Sequence, residues 1–568
     1  MPLEPQAARI TTLRLILASV FLFTLTTLTF INAVNANFVN WDDDVYVTEN
    51  PYVRHFTADT LAWIFTHGYY YAWTPLTLLS HAFDVGLWGL NPRWHHLTNV
   101  LLHASNSVWV LLIAVLVAVL SPTRSSRSES LLARVTGGVL VGAFIAALLY
   151  ATHPLRVEPV AWVSGRKDVL CAFFLLPAFA AFLLWRARGR EIFLIATHVL
   201  FALALLSKPH AVVFPLALVL MEAWWLSHTS ERPSLLHLMV DGKLLLFLMS
   251  VIVGIITFIV AGHGPVNVTG ELSELEKLFL PTYALMFYLW KTILPFDLSP
   301  VYPDVPRTML YLSGVAVVAL TYACVVLFQK NRRGPALAFS VYALAVLPVF
   351  FGLSSGAQPI ADRYTYLSTI GIFVLLGGYA TWVWEGAAAS PAKWYRREAI
   401  VLLLLVLCGL NAYRSVRHTT VWYNGVTLWT QATRYAPTTP QEYDQRGPYL
   451  RPNYLDAFIN LGTAYYSAEQ PERAMEQFQR VLLLDSCNAD AHYNLGTLEF
   501  ERGNEAESVR RFHHAIACDS TYAKAYYNLG ILYSRRDSTG HALVMLQNAA
   551  RLGMIEAQRV LQANGYSW

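Results

Sequence analysis

Apolar runs of about 17–22 residues, long enough to cross a hydrocarbon core as α-helices, recur up to residue 415. Beyond that point, charged and tyrosine-rich amphipathic stretches replace them. We therefore predict an all-α protein whose first part is a bundle of eleven membrane spans. The predicted spans are residues 13–36, 97–120, 134–152, 169–185, 191–206, 210–226, 243–262, 309–329, 335–353, 367–386 and 398–414.

The loops between these runs indicate the orientation of the bundle. Arg9 precedes the first span, Arg14 stands at its start, and four of the alternate loops after it are basic, including the loops that carry Arg124 and Lys393. Short basic loops prefer the cytoplasm. When the spans are counted forward from the N-terminus and backward from the basic loop at 329–334, both ends of the amphipathic segment 276–294 lie outside. This segment is predicted to be re-entrant or interfacial, and the C-terminal region to lie outside. The first run also resembles a cleaved signal peptide, although ten later spans favour an uncleaved anchor.

The C-terminal region repeats itself with a period of 34 residues. The triplet Asn-Leu-Gly begins at Asn460, Asn494 and Asn528, and aromatic and alanine residues recur around it at matching offsets. This spacing is typical of tetratricopeptide repeats. The three asparagines are predicted to form a ladder that binds an acceptor peptide backbone. The alternative is that they serve only helix packing.

These patterns divide the chain into three parts. We predict a membrane domain at 1–415, a linker with a degenerate repeat helix at 416–454, and a repeat solenoid at 455–568. The predicted repeats are 455–488, 489–522 and 523–556, followed by a cap at 557–568.

Composition supports a membrane protein and narrows its chemistry. Of its residues, 55% are hydrophobic and 14% are charged, whereas about 25% of the residues of a soluble protein are charged. The net charge of +4 is too small to indicate nucleic acid binding. The five cysteines have no metal-binding spacing, so the sequence predicts neither a disulfide framework nor a zinc site. No phosphate-binding glycine loop or nucleophile elbow occurs, so functions that use a nucleotide-sugar or ATP, and hydrolase functions, are unsupported. A transferase without a nucleotide site must take its donor from the membrane.

Charged residues cluster in the loops predicted to lie outside. Three consecutive acids, Asp42, Asp43 and Asp44, follow the first span; they can provide a general base or hold a divalent cation. Three later loops each carry a cation that can bind a phosphate, and these are Arg166, Lys208 and Arg363. The alternative is that each long side chain only extends its charged end toward the membrane–water interface. His95 and His96 lack the spacing of a compact metal motif, which favours structural roles.

The order of these motifs resembles the integral-membrane glycosyltransferases of the C superfamily that carry tetratricopeptide repeats, including the transmembrane-and-tetratricopeptide O-mannosyltransferases. The resemblance rests on Phe38–Asp43, on Trp94–His103, on the loop from His153 to Asp168, on Lys208, and on Asp362-Arg363-Tyr364.

The resemblance implies an inverting transfer of a sugar, often mannose, from a polyprenyl-phosphate donor to Ser or Thr of a protein. Asp42 or Asp43 would be the base, and Arg363, with Arg166 and Lys208, would bind the donor phosphate. The supporting positions are Asp44, Glu158, Asp168, Asp362, His95 and His96. Cofactors are not indicated, apart from the divalent cation that the acid cluster allows.

Two alternatives stay open. The enzyme can instead glycosylate a lipid or polysaccharide while its repeats recruit partners, or the chain can be a non-catalytic scaffold for envelope assembly. The motifs are closer to bacterial relatives, which favours an inner membrane with periplasmic repeats over the endoplasmic reticulum with luminal repeats. The sugar, the polyprenol, the acceptor and the oligomeric state are not predicted by the sequence.

Overall fold

A computed structural model of the chain describes residues 3–55, 57–70, 72–121, 131–228, 234–261, 273–302, 305–351, 360–388, 394–445, 451–536 and 538–568. In these residues the regular structure is helical, with no β-strand. The basic residues Arg124 and Lys393 lie outside the described residues.

The described chain forms two compact units. The first covers the chain to Asn424 apart from Val301–Asp304, and the second covers Gly425–Trp568 with that short segment. The predicted linker 416–454 is thus divided between the two units.

Eighteen helices belong to the first unit. They are α1 (Leu3–Phe30), α2 (Pro51–Arg54), α3 (Ala58–Thr66), α4 (Pro75–Trp88), α5 (Pro92–Leu120), α6 (Gly137–Thr152), α7 (Val157–Ala161), α8 (Arg166–Arg188), α9 (Glu191–Ser207), α10 (Phe214–Leu226), α11 (Leu235–Val240), α12 (Leu244–Ala261), α13 (Glu274–Ile293), α14 (Arg307–Gln329), α15 (Gly334–Val346), α16 (Thr365–Ser368), α17 (Ile370–Ala388) and α18 (Trp394–Thr419).

Each of the eleven predicted spans overlaps a helix of this unit. In the described residues, six helices are long and apolar enough to cross a membrane, and two bent helix pairs raise that number to eight. Three shorter apolar helices, Glu191–Ser207, Leu244–Val260 and Gly334–Phe350, coincide with the other three predicted spans. The count of eleven crossings therefore stays a prediction. Helix α13 is not among the candidate spans and packs against α14.

Helices α6 and α17 approach each other closely at two glycines. A Cβ added at Gly142 would overlap the Thr381 hydroxyl and the carbonyl oxygen of Gly377. Small residues allow such close approach between membrane helices, where packing drives association.

Gly142→Ala is expected to lower the unfolding free energy by about 1–3 kcal/mol, because backbone atoms of α17 must move to admit the methyl group. Thermal unfolding of the protein in detergent measures this effect. Gly409→Ala is the matched control, since a Cβ at Gly409 meets no atom within 4 Å. Equal midpoints for both variants would contradict the close packing described.

The second unit contains the repeats. Its helices are α19 (Gly425–Ala432), α20 (Pro440–Gln445), α21 (Arg451–Ser467), α22 (Pro471–Leu484), α23 (Ala489–Glu501), α24 (Glu505–Cys518), α25 (Ala523–Arg535), α26 (Thr539–Arg551) and α27 (Ile555–Ala563). From α21 onward each helix packs on the next, and α19 packs on α21. The glycine of each Asn-Leu-Gly triplet lies against the residue sixteen positions later, which is Phe478, Phe512 or Leu546.

One prediction about the cysteines is wrong. Cys487 and Cys518 form a disulfide, with their Cα atoms 5.3 Å apart. The two residues lie in adjacent repeats and are separated by 31 positions, close to the repeat period, so stacking brings them together. Cys171, Cys324 and Cys408 are free and buried in the first unit.

Candidate active site

The acid cluster begins at a backbone turn after α1. Asp42 adopts the left-handed conformation with φ of 64°, and the chain then enters a helical turn at Asp44–Thr48. This conformation is uncommon for residues other than glycine, although aspartate tolerates it better than most. It leaves the Asp42 side chain 20% exposed, whereas Asp43 is fully buried.

Asp43 fastens this turn to the loop after α7. Its Oδ2 accepts a hydrogen bond from the Val39 amide at 3.0 Å. Its Oδ1 accepts from the amide and the hydroxyl of Ser164 at 2.9 and 2.7 Å. Burial raises the pKa of Asp43 to about 7, although the three donors act in the opposite direction. With both oxygens occupied, Asp43 has a positioning role.

The pKa of Asp43 gives a pH prediction. Any activity that depends on this turn is expected to fall as the pH drops through about 7, because protonation of Asp43 leaves one of its three donors poorly paired. The free energy of unfolding changes in the opposite direction. Because the pKa of Asp43 in the folded protein exceeds its unfolded value of 3.8, the contribution of Asp43 to stability declines as the pH rises from about 4 to 7.

Rate and thermal unfolding profiles between pH 5.5 and 8.5 measure the two effects. Ser164→Ala removes a donor to the ionised carboxylate and should move the acid limb of the rate to higher pH. A limb that stays in place in this variant would assign it to another group.

Arg166 anchors the start of α8 inside the protein. Its Nη2 donates to Oδ2 of Asp84 at 2.7 Å and to the carbonyl oxygen of His95 at 2.8 Å. Its Nε donates to Asn99, and Nη1 lies 3.4 Å from the hydroxyl of Ser80. These contacts direct the donors of Arg166 at buried protein groups, and phosphate binding by Arg166 stays a prediction.

His95 and His96, near the start of α5, also make internal contacts. His95 Nε2 lies 3.2 Å from the carbonyl oxygen of Gly89, and His96 Nε2 lies 3.4 Å from that of Asn37. In the described part of the chain, no group of three His, Cys, Asp or Glu side chains is placed to hold a metal ion.

Lys208 and Arg363 come together at a second cluster. Lys208 Nζ donates to Asp168 Oδ1 at 2.6 Å, and Arg363 donates from Nη1 and its backbone amide to Glu158. Tyr364 lies between the two cations: its ring centroid is 5.7 Å from Lys208 Nζ and 4.9 Å from the Arg363 guanidinium carbon.

Trp162 connects this second cluster to the acid cluster. Its indole N–H donates to the carbonyl oxygen of Trp41 at 2.8 Å, next to Asp42. The Arg363 guanidinium carbon and Lys167 Nζ lie 5.6 and 5.1 Å from Trp162 ring centroids. Lys167 Nζ is also 3.9 Å from Asp42 Oδ2. The sequence motif contains Lys167, but the choice of Arg166 as the cation overlooked it.

The remaining acidic candidates lie at the margins of this group. Asp44 Oδ1 accepts from the neighbouring Val45 amide, and burial raises its pKa. Asp362 is buried, and its electrostatic partners include Lys291 and Arg156.

An apolar cavity of about 640 Å³ lies among the membrane helices and ends at the second cluster. Its polar end is formed by Asp168, Lys208, His210, Arg363 and Tyr364. Its walls come largely from apolar side chains of α5, α8, α10, α15 and α17 and of the turn that precedes α10, among them Phe179, Val213 and Leu375. A long apolar volume with cations at one end suits a lipid that carries an anionic head group.

The three asparagines of the predicted ladder lie in the second unit. Each is half-buried, and Asn528 Nδ2 donates to the Tyr493 hydroxyl at 3.3 Å, which joins two repeats. Binding of a peptide by these asparagines stays a prediction.

Comparison with known proteins finds partial relatives. No protein-family model matches the chain. Human Protein O-mannosyl-transferase TMTC2 is 31% identical over 154 residues, which is 26% of this chain and 16% of that protein. Human Protein O-mannosyl-transferase TMTC4 is 36% identical over 113 residues, which is 20% of this chain and 14% of that protein. Protein O-mannosyl-transferase Tmtc3 of Drosophila melanogaster is 35% identical over 114 residues, which is 20% of this chain and 12% of that protein. The matched segments thus span a small part of these relatives.

The solved structures that resemble part of this chain include MamA and YrrB. MamA has 25% identity and a TM-score of 0.18, with 23% of this chain and 72% of MamA covered. YrrB, described as a TPR protein with an unusual peptide-binding site, has 22% identity and a TM-score of 0.19, with coverages of 31% and 88%. Over the matched quarter of its length, the chain resembles the protein O-mannosyl-transferases of the transmembrane-and-tetratricopeptide type, as its motifs predicted.

Proposed function

We propose that this chain is an integral-membrane inverting glycosyltransferase. It moves a sugar, which we take to be mannose, from a polyprenyl-phosphate donor to Ser or Thr hydroxyls of a protein. The names of the O-mannosyl-transferase relatives support the sugar and the protein acceptor. The observation that carries the proposal is the apolar cavity that ends at Lys208 and Arg363, beside the Asp42 turn.

The donor site follows from the shape and charge of this cavity. The prenyl chain occupies the apolar volume, and the phosphate lies at its polar end against Lys208 and Arg363. Both cations keep a buried carboxylate partner, Asp168 or Glu158, which holds their side chains in place before the donor binds. This pre-organisation lowers the free-energy cost of binding the phosphate.

Asp42 is the general base in this proposal. It is partly exposed and not occupied by backbone donors as Asp43 is, so an acceptor hydroxyl can approach it. The hydroxyl oxygen attacks the anomeric carbon while Asp42 takes its proton, and the bond from that carbon to the phosphate oxygen breaks. A single displacement of this kind inverts the configuration at the anomeric carbon.

The repeats present the acceptor in this proposal. Stacked repeats offer an extended surface for peptides, and half-buried asparagine amides can pair with both the donor and the acceptor of a peptide backbone. Asn460, Asn494 and Asn528 are the residues assigned to this role.

The disulfide supports repeats in an oxidising compartment. Disulfides persist in the periplasm, the endoplasmic reticulum and outside cells, and they are rare in the cytosol. Cys487–Cys518 therefore agrees with the basic-loop rule in assigning the repeats to the outer side, with a bacterial periplasm favoured over the endoplasmic reticulum lumen. Thiol alkylation of the native protein before and after reduction tests this: two further cysteines should react only after reduction.

A transfer assay tests the function. The purified full-length protein is given polyprenyl-phosphate-mannose and a panel of Ser/Thr peptides, and product is identified by mass spectrometry. The wild type and the Asp59→Asn control, which alters an exposed acid of the same loop, should transfer mannose, whereas Asp42→Asn should transfer it about 10²–10⁴-fold more slowly. Transfer to a lipid acceptor with none to peptides would overturn the protein acceptor, and no transfer from any polyprenyl-phosphate sugar would overturn the enzyme class.

A further inference from the structure

The ammonium group of Lys167 lies between two aromatic rings. Its Nζ is 5.1 Å from the ring centroid of Tyr46 and 5.1 Å from that of Trp162. The side chain is only 9% exposed. Aromatic faces attract a cation, and the attraction strengthens when the cation is desolvated. The rings therefore hold Lys167 in one position at the edge of the acid cluster.

Lys167 differs from the neighbouring cations in its pairing. Arg166, Lys208 and Arg363 each hydrogen-bond a carboxylate, on Asp84, Asp168 and Glu158 respectively. The Asp42 oxygen nearest to Lys167 Nζ is 3.9 Å away, beyond hydrogen-bond distance. Within the described residues, Lys167 is thus the cation of this group that lacks a hydrogen-bonded carboxylate, although an ammonium carries three donors.

A buried ammonium without hydrogen bonds costs free energy, and an anionic ligand removes that cost. The electrostatic partners of Lys167 include Asp42, the proposed base, together with Arg363 and Lys208, the proposed phosphate ligands. An anion placed between these groups therefore meets three positive charges, two of which are already neutralised by protein carboxylates.

We infer that Lys167 donates a hydrogen bond to the phosphate of the prenyl-phosphate sugar and binds the charge that this phosphate gains during transfer. This inference rests on the proposed function. The donor phosphate is a diester with one negative charge. When the bond to the anomeric carbon breaks, its electron pair goes to the phosphate oxygen, and a monoester with two charges leaves. The acceptor proton goes to Asp42, and Lys167 keeps its own proton.

This role predicts that Lys167 contributes more to binding a phosphate monoester than to binding a phosphate diester. An interaction that matches the second charge stabilises the transition state and the product more than the donor. Lys167→Met should therefore weaken binding of farnesyl phosphate, which is mostly a monoester dianion at pH 7.3, by about 10–100-fold. Binding of farnesyl methyl phosphate, a diester monoanion, should weaken by less than about threefold.

The experiment measures both affinities by titration calorimetry on the full-length protein in detergent at pH 7.3. Lys167→Arg should keep most of the selectivity, because it preserves the charge. Lys277→Met is the matched control, since it removes one positive charge from α13, where Lys277 pairs with exposed Glu274. Retained diester binding also shows that a Lys167 variant is folded.

The outcomes separate this inference from the proposed function. If the wild type binds neither ester, the lipid-phosphate donor site itself is contradicted. If the wild type binds both, and Lys167→Met loses the same factor for both esters or loses nothing, the role of Lys167 is overturned while the donor site stands. A fall in kcat without a change in monoester selectivity would assign Lys167 to holding Asp42 instead.

Discussion

Asp42→Asn is expected to lower the kcat of sugar transfer by about 10²–10⁴-fold, the usual contribution of a general base. The substitution keeps the size of the side chain and removes its basicity together with its negative charge. The KM for the donor should not rise, because no proposed phosphate ligand is lost and the charge that is removed is negative. Initial rates at saturating donor and peptide measure the effect.

Asp43→Asn provides the comparison that distinguishes a base from a positioning residue. Both oxygens of Asp43 accept from buried donors, so an asparagine amide would face one of those N–H groups and cost about 1–3 kcal/mol in stability. Asp42→Asn should leave the unfolding midpoint near the wild-type value. A stable, inactive Asp43 variant beside an active Asp42 variant would reverse the assignment.

Arg166→Met is expected to destabilise the protein by about 3–5 kcal/mol, because it leaves the Asp84 carboxylate buried without its charged partner. The start of α8 also loses its contacts to His95 and Asn99. Thermal unfolding in detergent and the yield of monodisperse protein measure the loss. A variant with wild-type stability and weak donor binding would instead support Arg166 as a phosphate ligand.

A double variant separates charge from packing at this position. Arg166→Met combined with Asp84→Leu removes both buried charges, and such apolar replacements of buried pairs are often neutral. The double variant should therefore be more stable than Arg166→Met alone. Failure to recover any stability would mean that the hydrogen bonds of Arg166 to His95 and Asn99 carry its role.

The overall organisation was accessible from the sequence because long apolar runs and an integral repeat period are strong, local signals. Each predicted span overlaps a helix, and the triplets that begin at Asn460, Asn494 and Asn528 lie on the first helix of successive pairs. The number of crossings was less accessible, since helices such as Glu191–Ser207 are short for a membrane and two others bend.

The choice among neighbouring residues was not accessible from the sequence. Arg166 and Lys167 are adjacent at the start of α8, and successive helical residues point about 100° apart, so only one of them can face Asp42. Which of the two residues faces Asp42 depends on Asp84, which binds Arg166 and belongs to a separate helix far earlier in the chain. The disulfide was missed for a related reason: its cysteines meet only when two repeats stack.

Photo-cross-linking with a farnesyl phosphate that carries a diazirine on its last isoprene tests the donor site most directly. We expect adducts on cavity residues such as Phe179, Val213 and Leu375, which unlabelled polyprenyl phosphate prevents and Lys208→Met reduces. Adducts confined to exposed membrane-helix residues such as Phe258 and Val318, and unaffected by competitor, would contradict a donor site in the cavity.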